Sequence, residues 1–145
     1  MKTSTLFLSA AMATAIPGGA VAQEASTKDA SALNLELNGA QPSDKGCRLT
    51  FVVKNDLGAD LSKAAFEIAL FNAAGVVDRL TVLDFKDLPA GKTKVVRFDL
   101  AGTDCGKTSR VLVNSATECT GAGVEPSACM RRLETDSKTG IFFGV

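Results

Sequence analysis

The chain contains no histidine, no tryptophan and no tyrosine. Without histidine it lacks the commonest general base near neutral pH and the commonest metal ligand, so a Ser-His-Asp or Cys-His centre built from this chain alone is excluded. Without tryptophan and tyrosine it lacks the usual platforms for stacking sugars and the aromatic girdles of an outer-membrane barrel. Eight phenylalanines remain, all but Phe7 after residue 22, and phenylalanine is mostly a core residue. An excess of one charge is also missing. Sixteen Lys and Arg balance sixteen Asp and Glu without a basic block, which leaves no electrostatic footprint for nucleic acid or an anionic membrane surface. No stretch approaches the ~20 apolar residues that a spanning helix needs. The four cysteines contain no Cys-x-x-Cys, their successive separations being 58, 14 and 10, so the spacing of a zinc ribbon or a thioredoxin-like site is absent. No cofactor and no metal site are expected.

What is present divides the chain. Residues 1–22 read as an export signal: Lys2 supplies the positive end, Leu6 to Ile16 a short apolar core, and Pro17-Gly18-Gly19 a helix break. Ala20-Val21-Ala22 is the small-x-small pattern before a cleavage point, and no cysteine stands there to carry a lipid anchor. Residues 23–31 are small, polar and unpatterned, the composition of a flexible leader. Residues 32–145 are enough for one domain with its own core. Export to the periplasm or beyond places Cys47, Cys105, Cys119 and Cys129 in an oxidising compartment, where structural disulfides are their expected fate.

Short alternating segments run through that domain. Leu33, Leu35 and Leu37 interleave with Asn34, Glu36 and Asn38, and Cys47, Leu49, Phe51 and Val53 repeat the pattern. Residues 39–46 read as a loop, and 59–64 as one helical turn or a crossing loop. Phe66, Ile68 and Leu70 predict a third strand, closed by Asn72-Ala73-Ala74-Gly75, with Val76 to Val82 returning as its hairpin partner. Val96, Phe98 and Leu100 alternate after the Leu88-Pro89-Ala90-Gly91 turn. Val111-Leu112-Val113 predicts a central strand buried on both faces. Residues 128–134 read as a short helix, and 139–143 as a final edge strand. Six or seven strands with turns every ~8–12 residues predict an all-β, antiparallel immunoglobulin-like sandwich.

Three disulfide pairings are possible for four cysteines. If the strand at 47–54 lies antiparallel to that at 93–100, Cys47 comes beside Cys105, and Cys119 closes a local loop with Cys129. A Cys105–Cys119 bond is disfavoured because an intervening strand at ~3.3 Å per residue holds those ends apart. The expected set is therefore 47–105 with 119–129.

Several segments carry a resemblance to known families. Leu88 to Phe98 (LPAGKTKVVRF), Val52-Val53-Lys54-Asn55 and Leu70 to Val77 (LFNAAGVV) resemble bacterial immunoglobulin-like domains of the CARDB and FxLYD kind. Over nearly all of residues 23–145, Phe98-Asp99-Leu100, Cys105, Leu112-Val113-Asn114 and Glu118-Cys119 resemble small exported alphaproteobacterial proteins catalogued under a "Tat pathway signal sequence domain" label. The n-region here has one lysine and no twin arginine, which fits a Sec route instead. The resemblance implies a sandwich fold and an exported location, and it implies no activity.

The candidate chemistry is sparse. Asp84, Asp87, Asp99 and Asp104 are the densest carboxylates, yet they form no Asp-x-Asp ladder and alternate with Lys86, Lys92, Lys94 and Arg97, so solvated turns and edges account for them. Arg131-Arg132 beside Glu134 and Asp136 reads as a helix surface rather than an anion site. Phe71 falls out of phase with Phe66, Ile68 and Leu70, which turns it outward on an ideal strand, with Val52 and Val95 on similar outer faces. Burial under a loop or a second layer is the more ordinary reading of such a residue. The expected function is a non-catalytic exported binding module acting on another periplasmic or secreted protein, with Phe71, Val52 and Val95 as partner-binding residues. The alternatives are an enzyme inhibitor presenting the 119–129 loop and a small carboxylate-dependent hydrolase.

Overall fold

The computed structural model describes residues 31–145. The segments read as an export signal (1–22) and, apart from Ser31, as a leader (23–31) lie outside the described residues. Eight strands form two four-stranded sheets: β1 (Leu33–Ser43), β2 (Gly46–Asn55), β3 (Leu61–Asn72), β4 (Val77–Leu88), β5 (Thr93–Ala101), β6 (Thr108–Thr120), β7 (Leu133–Ser137) and β8 (Phe142–Gly144). The back sheet has the order β5-β2-β1-β7 and the front sheet β4-β3-β6-β8. The first two strands pair in the back sheet and the next two in the front. β5 then returns beside β2, and β6 beside β3, which is an immunoglobulin-like Greek key.

Antiparallel pairing holds only as far as β6. β7 runs parallel to β1, and β8 parallel to β6, so the sandwich has eight strands and two mixed sheets. The route of the chain explains this. β6 ends where Thr120 pairs with Lys63, at the end of the molecule where β1 begins. A loop and the single helical turn α1 (Ala128–Arg131) carry the chain across that end, so β7 must follow β1 in the same direction.

Five expectations need correction, two of them in the last segment: the helix read over 128–134 covers only Ala128–Arg131, with 133–134 opening β7, and the edge strand read over 139–143 is Phe142–Gly144. Residues 39–43 continue β1 through a bulge between Leu37 and Gly39 rather than forming a loop, and Asp44-Lys45 alone makes the turn. Pro42 is tolerated there because β7 covers β1 only from Leu33 to Leu37, leaving Pro42 on an open side. Residues 61–64 belong to β3, where bulges between Leu61 and Ala65 break the alternation that marks a strand. β6 is central but not buried on both faces: Val111 and Val113 enter the core, whereas Leu112 is half-buried on the outer face.

The core is built from the inward rows of both sheets. Phe51 meets Phe85, Phe98 and Phe143 edge-on at centroid distances of 5.6, 6.0 and 5.4 Å, and Phe85 also meets Phe66 at 5.9 Å. Edge-to-face contacts of this kind add to the area each ring removes from water. Two disulfides fasten the ends, Cys47 to Cys105 and Cys119 to Cys129, the set reached from strand order. Asn55, 1% exposed, pins two turns together. Its amide nitrogen donates to the carbonyls of Ala59 (2.8 Å) and Leu88 (2.7 Å), and its side-chain oxygen accepts from the Leu57 amide (3.0 Å).

Candidate functional site

The outer face of the front sheet departs from the polar exterior expected of a sandwich. Among the described residues, six of the seven large exposed apolar side chains lie on β4 or β8 or immediately beside them: Val76, Val77, Leu80, Val82, Phe142 and Val145. Strand register arranges the face in rows across the sheet. In the first, Val77 lies opposite Phe71, Phe71 opposite Arg110, and Arg110 beside Phe142. In the second, Leu80 and Leu112 flank Ala69. The third brings Val82 and Ser115 to Glu67, and the fourth brings Asp84 and Glu118 to Ala65. One end of the face is therefore apolar around Arg110, and the other carries paired charges. At the charged end Lys63 pairs with Glu118 (3.0 Å) and Lys86 with Asp84 (2.8 Å).

Turn chemistry sets this arrangement. Asn72 accepts hydrogen bonds from the amides of Ala74 (3.0 Å) and Val76 (3.1 Å), and Gly75 takes φ 76°, which closes the β3–β4 hairpin tightly. A register shift between Leu70 and Phe71 then lets Val77 stand opposite Phe71. β4 is an edge strand guarded along only part of its length. Lys86 adopts φ 63°, and Lys94 Nζ donates to the carbonyls of Phe85 (3.2 Å) and Asp87 (2.8 Å), closing the later half. The earlier half, where Leu80 and Val82 project, has no such lysine cap among the described residues.

Arg110 is the unusual residue of the face. Its guanidinium carbon stands 5.3 Å from the Phe71 ring centroid and 5.4 Å from that of Phe142. Among the described residues its side chain has no hydrogen bond and no ion pair, and its Nε is buried without an acceptor. Sequence reasoning missed it because a lone arginine on a strand reads as a solvated side chain. The available signal was its phase: Arg110 and Leu112 alternate with the inward Val111 and Val113.

Phe71 is on the outer face as its phase required, half-buried beneath Arg110 and not under a loop or second layer. Val52 and Val95 lie directly opposite each other on the outer face of the back sheet, Val95 being 58% exposed. The structure thus brings Val52 and Val95 together and places Phe71 on the far side of the sandwich, so the three do not make one site.

The four aspartates are dispersed, and each has its own partner. Asp84 binds Lys86, Asp87 meets Lys94 at 3.4 Å, Asp99 holds Arg48 through two hydrogen bonds of 2.9 and 3.1 Å, and Asp104 accepts from the Gly106 amide at 2.8 Å. The Lys86 ammonium and amide hold the Asp84 carboxyl below its usual range, and the Arg48 guanidinium does the same for Asp99. Among the described residues no three His, Cys, Asp or Glu side chains gather as a metal-ligand group. Arg131 pairs with Glu125 at 2.6 Å beside an open hollow of ≈ 390 Å³ that Leu57, Val124 and Arg132 also line. The 119–129 loop lies back against the body: Val124 packs on the core, and a Cβ at Gly121 would collide with the Asp60 carbonyl. No helix among the described residues is long and apolar enough to cross a membrane.

No family model, no curated protein and no solved structure matches the chain.

Proposed function

We propose that this chain is an exported, non-catalytic binding module, periplasmic or secreted, that captures another protein on the outer face of the β4-β3-β6-β8 sheet. One observation carries the reading: among the described residues, Val77, Leu80, Val82 and Phe142 are exposed together on that face, whereas Val95 is the one large exposed apolar side chain of the back sheet. Contiguous apolar surface of this kind marks interaction sites, whereas apolar residues scattered singly do not. The paired, dispersed aspartates support the non-catalytic part, because general acid–base catalysis needs carboxylates held within reach of one substrate. The two disulfides support export, since bridges persist in oxidising compartments.

The test places a photo-crosslinking amino acid at Leu80 in one variant and at Val95 in another, each expressed in the native host. A discrete protein adduct from position 80 and none from position 95 is the expected result. Equal labelling from both positions, or adducts from 95 alone, would remove the front face from consideration. Loss of the host phenotype in a stably folded Asp84→Asn, Asp87→Asn, Asp99→Asn or Asp104→Asn variant would replace the binding module with an enzyme.

A further inference from the structure

We infer that Arg110 is the specificity anchor of this face, and that the captured partner presents a carboxylate within an apolar segment. The inference rests on the docking reading above and supplies what that reading leaves open, the chemistry of the partner.

An arginine that served only to keep the sheet soluble would extend into water or pair with a neighbouring acid. Arg110 does neither: it is half-buried, lies between Phe71 and Phe142, and has no acidic partner among the described residues. The other strand cations on this face, Lys63 and Lys86, are each matched by a carboxylate within 3.0 Å. Contact with both rings restrains the guanidinium, so less side-chain entropy remains to be lost when a ligand arrives. Nε is sealed in without an acceptor, while the two terminal nitrogens are neither buried nor bonded and so remain reachable from solvent. A guanidinium offers paired donors in one plane, the geometry a carboxylate accepts bidentately.

Its setting decides the rest of the ligand. Leu112 and Ala69 form the next row inward, with Leu80 at the β4 end, and Val77 and Phe142 end the row that holds Arg110. A carboxylate docking on Arg110 therefore has apolar side chains on both flanks to cover it, and excluding water there strengthens the charge-assisted bonds. At the far end of the face Glu118 and Asp84 already occupy Lys63 and Lys86, which directs an incoming carboxylate to Arg110 instead. An arginine flanked by aromatics within an apolar patch is also a residue type in which interface energy concentrates.

A random-peptide display library selected on the whole disulfide-bonded chain provides the probe, followed by the selected peptides made synthetically. The expected result is enrichment of Asp, Glu or a free C-terminal carboxylate flanked by apolar residues. Arg110→Gln should weaken those peptides by about tenfold or more, and Arg110→Lys by an intermediate amount, because lysine keeps the charge but not the planar fork. Raising salt should weaken binding to the parent chain more than to Arg110→Gln. Thermal melts of each variant show that the fold is retained. Selected peptides without a carboxylate, a library that yields no binder, or unchanged affinity in Arg110→Gln overturns the inference. If Leu80→Ser abolishes binding while Arg110→Gln leaves it intact, the anchor falls and the face stands. If neither substitution matters, the face itself is refuted. Concentration-dependent self-association that Leu80→Ser abolishes and Arg110→Gln does not would give the face to a second copy of the chain and overturn the carboxylate partner.

Discussion

Removing the two disulfides separately should cost unequal amounts. The Cys47–Cys105 bond closes a span of 58 residues and the Cys119–Cys129 bond a span of 10. Loop-closure entropy gives about 4.2 kcal/mol for the first and about 2.7 kcal/mol for the second, a difference of about 1.5 kcal/mol. The comparison is well matched, because each bond joins one fully buried cysteine, Cys47 or Cys129, to a less buried one. The alanine pairs Cys47→Ala/Cys105→Ala and Cys119→Ala/Cys129→Ala should therefore lose similar packing and differ chiefly in the freedom of the unfolded chain. Urea unfolding measures it. With a slope of about 1.5 kcal/mol per molar urea, the midpoints should fall by about 2.8 M and about 1.8 M. Equal losses, or a larger loss for the 119–129 pair, would refute the entropic argument and show that the short bridge acts through native packing of the β6–α1 corner.

Phe85→Ala removes a ring that touches Phe51, Phe66 and Phe98, and should cost about 3–5 kcal/mol by chemical denaturation; less than about 1.5 kcal/mol would mean that the core closes over the gap. Asn55→Ala strands two carbonyls and an amide at the paired turns and should cost about 3 kcal/mol, with Asn55→Asp worse because it turns a negative charge toward both carbonyls; equal melting of parent and variants would show that water replaces the amide. The Asp84 and Asp99 carboxyls are held low in the fold, so they stabilise it above their unfolded pKa of about 3.9 and that contribution is lost as pH falls through their folded values. Lys63 and Lys138 are raised by Glu118 and Asp136, so their contribution is full below about pH 10.4 and is lost as pH rises through their folded values. Thermal melts should thus be level across neutral pH and fall in acid, and an acid limb that Asp84→Asn with Asp99→Asn leaves unaltered would contradict the assignment.

What could be read from residues alone was whatever depends on neighbours along the chain. Alternation located β2 and β5, and Asn72 to Gly75 located the tight hairpin, because both signals are local. The pairing of β2 with β5 was enough to place Cys47 beside Cys105. What escaped depends on distant segments. The start of β3 carries Ala64 and Ala65 through bulges, and alanine has little preference for a strand until a neighbour buries it. The parallel course of β7 and β8 is set by where the chain crosses the end of the sandwich, which no short window contains. The proposed docking face is a sum over four strands: Leu80, Leu112 and Phe142 are each unremarkable singly, and only register assembles them around Arg110.

The order of the cysteines along the chain matches the order of their bonds: the first joins the second, and the third joins the fourth. If the chain is exported as proposed, threaded amino end first through a pore, Cys47 and Cys105 meet an oxidant before Cys119 has emerged. Each new thiol that arrives to complete a pair then finds its native partner as the only free one waiting. Oxidation in order of arrival writes the correct set without proofreading, whereas an interleaved set would oblige the cell to break a bond and remake it.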